Sequence, residues 1–200
     1  YLGGAPAQGV DLLSELATSF PVVAVIILVL TFVMLMRIFR SIVLSVKAII
    51  LDLISIGLSF SALVVVFKFG VGTYQLQQIE AWVLILLFAI LFGLSMDYEI
   101  FIVSRMREAR DRGASNEDAI REGMQASGTV VTAAALIFIT ALTGLITGHF
   151  AGLQQLGVGL AIGVIVDATI IRGLLLPSAM MLLGRWNWWM PTQRKTPTLK

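Results

Sequence analysis

Five apolar runs, each long enough to cross a bilayer, leave this chain of 200 residues little freedom. A hydrocarbon core about 30 Å thick needs about 20 apolar residues per helical crossing. The runs Phe20–Met36, Ile42–Phe67, Trp82–Val103, Thr129–Ile146 and Leu153–Leu183 meet that length. With 58% hydrophobic and 13% charged residues, against about 25% charged in a soluble domain, little chain remains for a water-soluble unit. The fold class that follows is all-α, a polytopic helical membrane protein. Its spans fall at about 20–40, 41–67, 80–104, 126–148 and 152–184, within a bundle over 20–189. Pro21 is tolerated in a first helical turn, Arg37 and Arg40 stop the first run, and a Gly-rich stretch, Gly70 to Gln78, separates the second from the third. Arg185-Trp186-Asn187-Trp188-Trp189 reads as an interfacial anchor of indoles beside a cation.

The connections alternate in charge. Arg37, Arg40 and Lys47 flank the first, Arg105, Arg107, Arg110, Arg112 and Arg121 fill the third (105–125), and Arg185, Arg194, Lys195 and Lys200 follow the last span. The opposite side holds only Lys68, so the positive-inside rule predicts the amino end outside and the tail, 190–200, in the cytoplasm of a bacterial inner membrane. Such charges orient a membrane chain, and no nucleic-acid partner is expected. The absence of cysteine and the lone His149 argue against thiolate, zinc or haem chemistry, and no cofactor or metal is expected. The chain opens at Tyr1 with polar loop residues up to Glu15. Residues 1–19 are expected to be an extracytoplasmic linker and the chain a part of a longer protein. Ser115-Asn116-Glu117-Asp118 matches an acidic capping box, predicting a short helix over Ala119–Gln125 along the cytoplasmic face.

Ionisable side chains at membrane depth cost about 2.5–3.5 kcal/mol each, so each calls for a partner, a water path or a function. Five qualify: Asp52 in the second span, Asp97 and Glu99 in the third, Asp167 and Arg172 in the fifth. Glu99 stands six residues before Arg105 and is expected to reach the interface, a weak candidate. Asp97 lies deeper, between apolar Val83–Leu94 and Ile100–Val103, where a carboxylate can gain and lose charge inside the membrane; Tyr98 adds a phenol able to bond to a neighbouring span. The alternative is a carboxylate neutralised by a base such as Arg172. Asp167 and Arg172, five apart, sit about 140° around an α-helix, poor for a local ion pair. They are expected to address different neighbours, with Asp167 joining Asp97 in one polar core and Arg172 facing the interior near Asp97 or Asp167; the alternative is a structural network between helices.

Gly144, Gly148 and Gly152, and again Gly159 and Gly163, recur every four residues and allow close helix approach. Thr129, Thr132, Thr140, Thr143 and Thr147 fall near one stripe, where hydroxyls line a water path or, the favoured reading, bond back to their own helix.

Several of these motifs carry a resemblance. Gly93-Leu94-Ser95-Met96-Asp97-Tyr98-Glu99, Ser104-Arg105, Asp167-Ala168-Thr169 with Arg172 and Pro177, and Gly184 with Trp188-Trp189 resemble the mycobacterial-membrane-protein-large (MmpL) branch of the resistance-nodulation-division (RND) transporters. The resemblance covers essentially the whole chain, from Gly3-Gly4 onward, and implies spans eight to twelve of a twelve-span transporter with two pseudo-symmetric halves. It implies a proton-driven exporter of lipids or hydrophobic compounds rather than an enzyme, whose partners are the bilayer, protons, cargo and the amino-terminal half. Asp97 and Tyr98 match the family's tenth-span proton-relay pair, and Asp167 and Arg172 its twelfth-span polar positions. Asp52 stands where many relatives carry a neutral polar residue, and its role stays open.

Two rival classes remain. A non-transporting membrane scaffold or lipid-sensing module would share the fold. An intramembrane aspartyl protease would pair two aspartates around a water, but the order Asp97-Tyr98 and the run Gly163-Val164-Ile165-Val166 before Asp167 depart from the Tyr-Asp and Gly-x-Gly-Asp patterns of those enzymes.

Overall fold

A computed structural model describes residues 5–69 and 79–189; the connection 70–78, the tail 190–200 and the Gly3-Gly4 linker lie outside the described residues. The elements in chain order are α1 (Ala5–Phe39), α2 (Ile42–Lys68), α3 (Ala81–Asp111), α4 (Asn116–Ile146), α5 (Ala151–Val166), a π-helical segment (Asp167–Leu175), α6 (Leu176–Leu183) and a 3₁₀ turn (Gly184–Trp188). Among the described residues, five helical stretches are long and apolar enough to span a membrane, beginning at Thr18, Ile42, Ala81, Asn116 and Ala151. The described residues are all-α, and the chain is a multi-pass membrane protein.

Two boundaries differ from the sequence reading. The stretch up to Glu15, expected as a loop, is helical from Ala5 and continuous with the first span. The third connection shrinks to a tight turn, because α3 runs on to Asp111 and α4 starts at Asn116. Ser115 does cap α4, its Oγ accepting from the Asp118 amide at 3.1 Å. However, Ala119–Gln125 is the opening of a continuous 31-residue helix rather than a separate one. At 1.5 Å per residue α3 and α4 are each about 46 Å long, so their charged ends stand clear of a 30 Å hydrocarbon core as a helical hairpin. Intrahelical pairs such as Arg105–Glu108 at 3.0 Å and Arg107–Asp111 at 3.2 Å keep that extension wound.

α3 and the long α5–α6 rod are the most buried elements, α1 and α4 the least. Glycine sets how closely they approach. Gly159 and Gly163 lie directly beneath Leu87 and Leu91 of α3, and Ser59 Oγ of α2 donates to the Gly159 carbonyl at 2.7 Å. Gly152 packs against the Trp82 ring, whereas Gly144 faces open space, so the four-residue glycine repeat contributes packing only along part of its length. Thr140, Thr143 and Thr147 bond back to carbonyls of α4 at 2.6–2.9 Å. Outward apolar side chains, including Val22, Leu30, Val130 and Ile137, are more than half exposed, as a lipid-facing surface requires.

Three connections meet on one face. Arg107 Nη1 donates to the Phe39 carbonyl at 3.1 Å, joining the α1–α2 turn to the base of α3. The Trp188 indole N–H donates to Asn116 Oδ1 at 2.9 Å, and the Arg107 guanidinium lies over the Trp188 ring at 5.5 Å. The first turn, the third turn and the end of the last span therefore share a side, as the alternation of basic residues requires.

Candidate functional site: a buried charge cluster

The polar centre of the bundle is built by α2, α3 and the π-helical segment. Asp52, Ser95, Glu99, Asp167 and Arg172 are each at most 5% exposed. Ser95 and Glu99, one helical turn apart, point inward from α3. Asp52 approaches from α2, and Asp167 and Arg172 from the last span.

Arg172 organises the group. Its Nε donates to Asp167 Oδ2 at 2.6 Å, and its Nη2 donates to Ser95 Oγ at 2.9 Å and also to the Ser95 carbonyl. The guanidinium lies over the Tyr98 ring at 5.2 Å, a cation–π contact. Ser95 Oγ stands 2.6 Å from Asp52 Oδ1 and 2.8 Å from Asp167 Oδ1. Five groups from three elements are thus tied through one hydroxyl and one guanidinium.

The Asp167–Arg172 pair corrects the sequence reading. Residues five apart diverge on an α-helix, but the π-helical winding closes its hydrogen bonds five residues back, as the Leu176 amide does to the Ile171 carbonyl. Asp167 and Arg172 come onto one face and bond directly. Pro177 follows at once: an α-wound approach would press its ring on the carbonyl of Gly173.

Asp97 is not in this cluster. It is exposed on α3, whereas Glu99, two residues and about 200° further around the helix, is buried. The expected union of Asp167 with Asp97 is replaced by one with Asp52 and Ser95. Tyr98, half-buried between the two faces, touches the cluster through its ring. Glu99 does not reach the interface: α3 stays helical well past it and turns it inward.

Lys47 was missed as a site residue. It reads as a loop charge because it follows Arg37 and Arg40, yet α2 begins at Ile42 and carries it inside, where it is 8% exposed and interacts electrostatically with Glu99. Its distance from Asp52, five residues along α2, was the available signal. Lys47 Nζ, Glu99 Oε1, Asp52 Oδ2 and Arg172 Nη1 are buried without hydrogen-bond partners. Beside Arg172 a cavity of about 130 Å³ is lined by Ser127, Gly128, Thr132 and Ala168. That is room for about four waters, and Ser127 and Arg172, each with a buried polar atom lacking a hydrogen-bond partner, are among its lining residues. Among the described residues no His, Cys, Asp or Glu group has the arrangement to hold a metal ion.

Comparison with known proteins places these features in a family context. Residues 1–199 match the MMPL family. A Streptomyces coelicolor protein named for its membrane location is 40% identical over 94% of this chain and 27% of its own length. The trehalose monomycolate exporter MmpL3 of Mycolicibacterium smegmatis is 38% identical over 98% of the chain and 20% of its own length. The mycolic acid-containing lipids exporter MmpL11 of the same organism is 36% identical over 95% and 20%. The chain thus spans about a fifth to a quarter of the length of the curated relatives it matches.

Proposed function

Since the chain belongs to the MMPL family, within the RND superfamily, we propose that it is the carboxyl-terminal membrane half of a proton-motive-force-driven exporter of lipids or hydrophobic compounds. Asp97 and Tyr98 are its part of the proton relay, and Asp167 and Arg172 are the network that supports them. The observation that carries this reading is the position of Asp97. It lies within the apolar length of α3, between Val83–Leu94 and Ile100–Val103, and yet faces outward. A carboxylate facing lipid there costs about 2.5–3.5 kcal/mol, so this face belongs against protein. Leu86, Ala89, Gly93 and Asp97 form one exposed stripe, and no atom lies within 4 Å of where a Gly93 side chain would start. Small residues beside the acid permit a helix of the amino-terminal half to come close.

In this scheme a proton from the outside binds Asp97, Tyr98 orients it, and the ring contact to Arg172 couples its arrival to the buried cluster. The two halves then shift and drive the extracytoplasmic domains. Full-length protein in proteoliposomes is expected to take up protons only while exporting a lipid cargo. Cargo-independent silence under an imposed gradient would assign it instead to the scaffold or sensor class.

The orientation proposed is amino end outside and the Arg-rich α3–α4 turn in the cytoplasm of a bacterial inner membrane. Cysteines replacing Ser115 and His149, both exposed, are expected to react with impermeant reagent from the cytoplasmic and outer sides respectively. Labelling of both from one side refutes the topology.

A further inference from the structure

We propose that Asp52 holds a resident proton: it is a neutral carboxylic acid that donates a hydrogen bond to Ser95 Oγ. The argument is one of hydrogen-bond valence. Ser95 Oγ has a single hydrogen to give and two lone pairs to receive with. Yet it faces two carboxyl oxygens, Asp52 Oδ1 at 2.6 Å and Asp167 Oδ1 at 2.8 Å, together with one donor, Arg172 Nη2 at 2.9 Å. One hydroxyl hydrogen cannot serve two carboxylates, and two charged oxygens at such distances from it would leave one contact repulsive. A second hydrogen must lie in the cluster, on one of the two acids.

Asp167 is the ionised member, because its other oxygen accepts from Arg172 Nε at 2.6 Å. Asp52 has no such partner: its Oδ2 is buried and receives no hydrogen bond. An unsatisfied oxygen is tolerable on a neutral acid and very costly on a buried carboxylate. The full valence then closes. Asp52 donates to Ser95 Oγ, Arg172 Nη2 donates to the same oxygen, and Ser95 donates to Asp167.

Charge counting over the whole cluster agrees. The groups facing Asp52 are Glu99 from α3, and Asp167 and Arg172 from the last span, with Lys47 behind it on α2. Three acids meet two bases, so full ionisation leaves one uncompensated negative charge among side chains at most 8% exposed. One proton on Asp52 brings the buried sum to zero. This proton differs from the one proposed for Asp97, which lies on the opposite face of α3, and the inference holds whether or not the protein pumps.

Infrared difference spectroscopy at neutral pH, on the full-length protein in lipid, tests it. Asp52→Asn keeps the shape and an N–H to donate to Ser95, so it should insert. Its spectrum should lack one protonated-carboxyl C=O band, with no carboxylate band lost. Loss of carboxylate bands, or an unchanged acid C=O region, overturns the proposal. If the Asn variant fails to insert, Asp52→Glu keeps the acid and should move the same band; a band that stays in place overturns it equally.

Discussion

Asp97→Asn is expected to abolish proton-coupled export by the full-length protein while leaving its folding and insertion intact. The amide matches the carboxyl in size and hydrogen-bonding capacity but cannot acquire or lose charge, and titration is the property the relay needs. Because Asp97 is exposed on α3 and contributes nothing to the buried cluster, its replacement removes no internal contact of this bundle. One proton crossing 100 mV supplies about 2.3 kcal/mol, a bias of roughly fiftyfold. Cargo accumulation driven by that proton should collapse by this factor, to the level set by leak, in proteoliposomes carrying a membrane potential. Parental export by the variant would make Asp97 structural and send the search for the relay elsewhere.

Arg172 should show the reverse pattern, with loss of the fold preceding loss of transport. Arg172→Met leaves Asp167 charged in a site where it is at most 5% exposed, and breaking a buried pair in this way costs about 3–5 kcal/mol. Arg172→Lys keeps the charge but not the fork. An ammonium cannot hold Asp167, the Ser95 hydroxyl and the Ser95 carbonyl while also standing over the Tyr98 ring. Loss of even one charge-assisted bond costs about 1.5–3 kcal/mol. Thermal unfolding in detergent should rank the parent above Lys and Lys above Met. Melting of Arg172→Met at the parental temperature would mean that the cluster contributes little to stability.

How much of this was legible beforehand depends on the scale of the signal. The five spans are written in runs too long for anything but a membrane crossing, and the grouping of basic residues foretold which turns share a face. Asp52, Asp167 and Arg172 stand out because charge in hydrocarbon is costly wherever it occurs. Which way each one points was harder. Asp97 and Glu99 must face opposite ways on any helix, but only the packing of α3 against α2 and the last span decides which is inside. Lys47 was hidden because the α1–α2 turn is so short that a residue counted with the loop already lies within α2. The Asp167–Arg172 pair was misread because the spacing was measured on an α-helix, whereas the backbone there is wound more widely. Nothing in the identity of residues 167–175 announces that winding, apart from the proline that follows.

The wide winding also has a consequence for chain length. A π-helical stretch holds one residue more than the α-helix that would join the same two ends. The surplus residue is where this span can absorb a change in length. Removing one residue between Asp167 and Arg172 would let the rod rewind as α-helix between the same two ends. The two side chains, then four apart, would still share a face, and Trp188 would keep its place beside Asn116 and Arg107. In the evolution of such a chain, this segment accepts the loss of one residue where the α-helical parts of the same span do not.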